Sequence, residues 1–275
     1  MSDNTIYLIT GANRGIGLAI TTLLLARPHT TVVATSRTPA PSLFSPPFEG
    51  GAIHPSSRLC PILLNEADPA ITSASLPARL EAEHGITRLD VVVANAGGSK
   101  IVKGLMDTDP ATELMGDFEV NAVGQAKLFR GIWGMMMIDH PAAGDGGDGA
   151  SAFMGGEGGK EKKKKFVLMS STLGSIGVLE QECMPGIGYG MAKAAANWFA
   201  KRVSVEFRGR GLVVGVLHPG WVQTELGQAL ADAIGFKEPP LSVEESARGC
   251  VEQIDNWTME KTGQFLTWTG QPLPW

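Results

Sequence analysis

Cysteine is scarce in this chain: Cys60, Cys183 and Cys250 are the only three in 275 residues. They are odd in number and far apart, which argues against a disulfide framework or a zinc site and fits reduced thiols in a cytoplasmic protein. No metal is expected. Long hydrophobic runs are also missing: none reaches the roughly 18 residues a membrane span needs. Met1-Ser2-Asp3-Asn4 carries no basic n-region and no cleavage site, so a secretory route is not expected and Asn256-Trp257-Thr258 is read as a chance sequon. Positive charge is in deficit, with 23 Lys and Arg against 28 Asp and Glu and a net charge of -5. That balance argues against nucleic acid as the main partner.

Apolar residues are plentiful, at 43% of the chain. They fall into short runs that predict strands at 5–10, 31–35, 60–64, 89–94, 166–170, 212–217 and 264–269. Between them, helices are predicted at 18–26, 76–84, 113–138 and 189–207. Near-continuous apolar strands suit parallel pairing with both faces covered. The alternation predicts an α/β single-domain Rossmann fold over 1–275: a doubly wound, mostly parallel seven-stranded sheet with helices on both faces. Residues 39–57 read as a long loop. Residues 140–165, with their Gly-Asp repeats and lysine run, cannot bury apolar area and predict a flexible, solvated Gly/Lys-rich insertion.

Two segments carry chemistry. Thr10-Gly11-Ala12-Asn13-Arg14-Gly15-Ile16-Gly17 follows a strand and opens a helix. Glycines there permit a tight turn and close approach to a pyrophosphate, and the helix start offers unpaired N–H groups to the anion. Tyr189 and Lys193 lie four residues apart, on one face of a helix. A nearby cation favours the phenolate and is expected to lower the Tyr189 pKa. By itself, such a spacing also fits a surface pair. An acid after the second strand would favour NAD. This chain has Ser36-Arg37 there, and Arg14 in the glycine loop. Two guanidinium groups suit a 2′-phosphate, so NADP(H) is the expected cofactor.

In this order the motifs resemble those of the short-chain dehydrogenase/reductase family. The glycine loop matches through Gly11, Asn13, Arg14, Gly15, Ile16 and Gly17. Asn95-Ala96-Gly97 matches a motif tied to sheet stability and the adenosine side of the cofactor. Asn121 matches a helix asparagine linked to a proton-relay water. Ser171, Tyr189 and Lys193 match the catalytic set, and Pro219, Gly220, Val222 and Thr224 match the segment beside the nicotinamide. A closer likeness is to fungal polyketide ketoreductases, the norsolorinic-acid-ketoreductase-like group, and their carbonyl-reductase relatives. Asn65 and Glu66 depart from the usual Asp and apolar pair near the adenine, and Ala94 replaces a common asparagine. Ser171 and Tyr189 are 18 positions apart, which makes 175–188 a longer loop than usual.

The resemblance implies hydride transfer to a hydrophobic, aromatic or polyketide-like ketone, with Tyr189 as proton donor and Ser171 orienting the carbonyl oxygen. Lys193 is expected to hold the nicotinamide ribose. Met184, Trp221 and Leu226 are expected to line the substrate pocket, with 225–240 as a mobile lid. His218 is read as structural. A homodimer or homotetramer is expected, built on the helices that begin near Glu113 and Tyr189. Alternatives are an imine or quinone reductase, a dehydratase-like catalyst, and an NADP(H) sensor without catalysis.

Overall fold

The computed structural model describes residues 4–40, 43, 51–65, 75–137 and 164–275. Glu66 and residues 140–163 lie outside the described residues. Seven parallel strands form one sheet in the order β3-β2-β1-β4-β5-β6-β7. They are β1 (Thr5–Ile9), β2 (Thr30–Ser36), β3 (Arg58–Leu63), β4 (Val91–Ala94), β5 (Lys165–Met169), β6 (Val213–His218) and β7 (Gln264–Thr267). The helices are α1 (Gly15–Leu25), α2 (Ser75–His84), α3 (Met115–Phe118), α4 (Gly124–Met136), α5 (Ile187–Glu206), α6 (Glu225–Ile234) and α7 (Val243–Asn256). Strand order reverses between β1 and β4, the position at which an open parallel sheet leaves a crevice beyond its strand ends.

Strand alternation divides the core between the two faces. Leu8, Val33, Val92, Phe166 and Val214 share one cluster with Leu80, Leu128, Ile132, Ala196 and Ala200. Ile9, Val32, Val93, Val167 and Leu217 share the other with Ile20, Leu24, Val251, Ile254 and Trp257. Both faces are therefore covered, which is why these strands read as continuous apolar runs. Gly215 makes room for the Trp257 indole, since a Cβ there would stand 2.6 Å from the ring.

Three sequence expectations need correction. The helix predicted at 113–138 is not one regular helix: a π-turn at Glu119–Val123 separates α3 from α4. The predicted insertion runs too far, because its last two residues belong to the fold. The Lys164 side chain is 6% exposed and donates to Asp90 Oδ1 at 2.9 Å. Lys165 opens β5 and donates to the carbonyls of Ile254 and Asp255. α7 was not anticipated. Its signal lies in Ser242 and Glu245: the Ser242 hydroxyl accepts from the Glu245 N–H at 3.2 Å, as expected when Ser precedes Glu by three residues at a helix start.

Candidate active site

Because all strands run in parallel, the segments after β1, β2, β4, β5 and β6 gather at one edge of the sheet. After β1, Gly11 and Gly15 hold positive φ angles of 62° and 54°, a backbone region that favours glycine. Gly17 faces the same turn, and a Cβ on it would stand 2.6 Å from Asn95 Nδ2. Asn95 donates to the carbonyls of Thr10 and Gly11, and the Ala96 N–H donates to Thr10 Oγ1 at 2.8 Å. The Asn-Ala-Gly segment thus fixes the glycine turn that precedes α1. Ile16 is partly buried against the core, whereas Asn13 is half-buried on the turn.

After β2, Ser36 is buried and its hydroxyl donates to Thr38 O at 2.6 Å, while Arg37 is exposed. Asn65, after β3, is also exposed. Arg14 does not stand with Arg37 as an uncommitted second guanidinium. It forms an ion pair with Glu225 at the start of α6. Sequence spacing gave no sign of a partner 211 positions away.

Ser171 is buried at the start of a tight 3-10 turn, Thr172–Gly174. Its Oγ accepts from the Leu173 N–H at 3.2 Å, which leaves its own O–H to donate. Gly174 packs directly on α5, where a Cβ would be 2.6 Å from that of Lys193. From α5, Asn197 Nδ2 donates to Gly174 O, and Asn197 Oδ1 accepts from Ser170 Oγ. On the other side the Thr172 N–H donates to His218 Nδ1 at 3.3 Å. Burial lowers the His218 pKa to about 4, so the ring is neutral and serves as an acceptor, consistent with a structural histidine.

Tyr189 and Lys193 do share a face of α5: Nζ lies 5.5 Å from the centre of the phenol ring. The expected electrostatics need correction. Burial pushes the Tyr189 pKa up, and the Asp117 carboxylate raises it further. Lys193 does not reverse this. It is buried, its Nζ donates to Met169 O at 2.8 Å, and loss of hydration lowers its own pKa to about 8. Tyr189, part of whose surface remains open, is therefore a neutral phenol beside a weakened cation.

Asn121 sits fully buried within the π-turn, a distortion often found at functional sites. Its Nδ2 donates to the carbonyls of Gly98 and Asp117, and its Oδ1 accepts from the Gly98 N–H. A Cβ on Gly97 would meet Asn121 Oδ1 at 2.7 Å and Lys193 Nζ at 3.2 Å. Glycine thus lets the backbone at 97 approach both polar groups closely, where any side chain would clash. Asp117 and Ser99 were missed from sequence. Asp117 Oδ2 accepts from Ser99 Oγ at 2.9 Å and lies 2.8 Å from a Cβ position on Gly188. No sequence spacing announces this contact.

Beyond β6, Pro219 O accepts from Ser246 Oγ, Gly220 has a positive φ of 90°, and Val222 bridges to Leu241. Thr224 caps α6 through the Gly227 N–H, and its methyl lies 3.5 Å from a Cβ position on Gly15. Trp221 Nε1 donates to Gly227 O, and its ring packs 5.5 Å from that of Phe236. Leu226 is half-buried on α6, and Met184 is exposed in the segment before α5. Among the described residues no cluster of His, Cys, Asp or Glu forms a metal site. No helix among them is long and apolar enough to cross a membrane.

The parallel sheet, the glycine turn before α1 and the Ser-Tyr-Lys group define an oxidoreductase class. The model of that family, described as short chain dehydrogenase, matches residues 5–235, and the chain belongs to it. Among relatives, it is 30% identical to norsolorinic acid ketoreductase of Aspergillus parasiticus, over 99% of this chain and 92% of that one. A short chain dehydrogenase of Penicillium aethiopicum is 33% identical over 98% of each chain. Among solved structures, the NADPH-bound carbonyl reductase from chicken fatty liver superposes with a TM-score of 0.75 at 28% identity, covering 99% of both chains.

Proposed function

We propose that this chain is an NADPH-dependent reductase of hydrophobic, aromatic or polyketide-like ketones. The observation that carries the reading is the packing of the Ser171 turn, through Gly174, on buried Lys193, whose Nζ lies 5.5 Å from the centre of the Tyr189 ring and close to Gly97. The residues fit a dinucleotide: the positive φ angles of Gly11 and Gly15 and the close packing at Gly17 form a tight side-chain-poor turn at a helix start, where unpaired N–H groups suit an anion. Gly11, Asn13, Arg14, Gly15, Ile16 and Gly17 are assigned to the pyrophosphate side and Asn95, Ala96, Gly97 and Asn65 to the adenosine side. Pro219, Gly220, Val222 and Thr224 are assigned to the nicotinamide side. Exposed Arg37, with Ser36, replaces the carboxylate that would select a free 2′-OH. Arg14 is exposed and meets Glu225 through Nη1, which leaves its other N–H donors for a phosphate. The chicken liver relative is NADPH bound, which supports the choice.

When bound, NADPH supplies the hydride. Tyr189 gives its hydroxyl proton to the carbonyl oxygen as charge develops on the substrate. Ser171 donates to the same oxygen and steadies its charge. Lys193 holds the nicotinamide ribose and supplies positive potential. Asn121 is assigned to a relay water that returns a proton through Lys193 toward Tyr189. Met184, Trp221 and Leu226 form the apolar side of the pocket, and 225–240 act as its lid.

The test is NADPH and NADH oxidation against aromatic ketones, hydroxylated quinones and cyclic imines. Preferred NADPH turnover of a ketone is expected. Turnover of imines alone, or tight NADPH binding without any turnover, would sink the proposal.

A homo-oligomer belongs to the same reading. Met191, Trp198 and Val205 recur every seven residues on α5 and are 45%, 69% and 52% exposed. That stripe is the proposed contact with a second copy. Light scattering should show Trp198→Glu at a lower mass than the parent chain; an unchanged mass would exclude this face.

A further inference from the structure

The catalytic serine turn is held from three sides, and one of them lies far away in sequence. Asn197 and Lys193 hold it from α5, and His218 holds it from β6. The third hold is the segment 271–275, which follows β7. This segment folds back along its own strand: the Leu273 N–H donates to Phe265 O at 2.8 Å, and the Thr267 N–H donates to Gln271 O at 2.8 Å. It then crosses to the serine turn. Ser175, 1% exposed, donates its hydroxyl to Pro274 O at 2.6 Å. The Gly177 N–H donates to Trp275 O at 2.8 Å. Gly177 leaves space for this approach, since a Cβ there would be 2.7 Å from Pro274 Cβ. The Trp275 ring is itself fixed. It lies 5.7 Å from the Phe265 ring, and Lys201 Nζ stands 5.2 Å from its centre. Lys201 is anchored in turn by Gly263 O at 2.8 Å.

We infer that Pro274 and Trp275 are positioning residues that hold the Ser171 turn, and the start of the 175–188 pocket wall, in their working geometry. This inference rests on the reading of Ser171 as a catalytic residue. Two polar groups of the turn, the Ser175 hydroxyl and the Gly177 N–H, have their acceptors in this segment. A buried hydroxyl without its acceptor is costly, so release of the segment lets the turn rearrange to recover a partner. The displacement then passes along one short stretch of chain to Ser171. The glycine cradle after β1 lies on other strands and is untouched. The expected signature is loss of turnover with cofactor binding preserved.

The experiment compares Trp275→Ala, Trp275→Phe, Ser171→Ala and the Trp275→Ala/Ser171→Ala double variant in the full chain. The readouts are kcat and KM for the best ketone of the panel above, NADPH Kd by fluorescence titration, and amide hydrogen exchange at 172–178. Trp275→Ala should lower kcat by about tenfold to a hundredfold, the scale of a misplaced catalytic group, with NADPH Kd unchanged. Exchange should rise at 172–178 and not at 5–17. Trp275→Phe keeps an aromatic ring against Phe265 and Lys201 and should restore most of the rate. In the Ser171→Ala background, adding Trp275→Ala should cost little more, because one displaced group is already absent. Unchanged kcat and unchanged exchange in Trp275→Ala would overturn the inference, as would losses that multiply fully in the double variant. If instead Ser171→Ala retains full activity, the catalytic assignment itself fails, which is a separate outcome.

Discussion

Tyr189→Phe is expected to lower kcat for ketone reduction by about 10²- to 10⁴-fold, the usual contribution of a positioned general acid. The substitution removes one oxygen and keeps the ring, so the packing of α5 against the serine turn should survive. Lys193 should remain buried on Met169 O, and NADPH affinity should change little. The effect therefore belongs in kcat rather than in cofactor binding, as for an interaction made in the transition state. Steady-state kinetics with a separate NADPH titration measure both. Full activity in the variant would require another proton donor and would remove Tyr189 from the mechanism.

The second large effect concerns stability. Asp90 Oδ1 accepts from Lys164 Nζ at 2.9 Å and Asp90 Oδ2 from the Ile6 N–H at 2.8 Å. Both side chains of the ion pair are 6% exposed. Arg88 Nη2 lies farther away, at 3.6 Å. Asp90→Ala deprives a buried ammonium of its carboxylate and a strand N–H of its acceptor. Removing one partner of such a pair costs about 3–5 kcal/mol, a large share of the roughly 5–15 kcal/mol that holds a typical domain together. Urea denaturation should show a matching fall in midpoint. Asp90→Ala with Lys164→Met should recover part of the loss, since the buried ammonium is then replaced by an apolar side chain. A midpoint within error of the parent would mean that water compensates both groups.

The strands were legible because sheet burial on both faces leaves runs such as Val91-Val92-Val93-Ala94 with no polar interruption. The glycine turn and the Tyr189–Lys193 spacing were legible because each constraint is local. What escaped the sequence was set by packing across long separations. Glu119 to Val123 has the composition of an ordinary helix, so the π-turn around Asn121 left no trace. The lysine run looked uniform, yet Lys164 meets Asp90 only when β4 and β5 pair. The Tyr189 pKa was expected to fall because spacing reveals a cation but not desolvation or the Asp117 charge. The ion pair of Arg14 with Glu225 was equally hidden, because its partner lies 211 residues away. α7 did carry a local signal, Ser242 followed by Glu245, which apolar periodicity alone overlooks.

The parallel sheet has a consequence for how this protein can change. Ser171, Gly97, Gly11 and Pro219 follow the ends of strands whose starts, at the opposite edge, carry the Asp90–Lys164 lock and the Ile6 amide. Durability and chemistry are thus lodged at opposite rims, separated by the length of the strands. Substitutions accumulating at one rim need not be matched at the other. An engineer seeking a heat-resistant form can work around Asp90 without retuning the catalyst. Divergent copies of the gene can acquire new pocket walls while inheriting the same foundation.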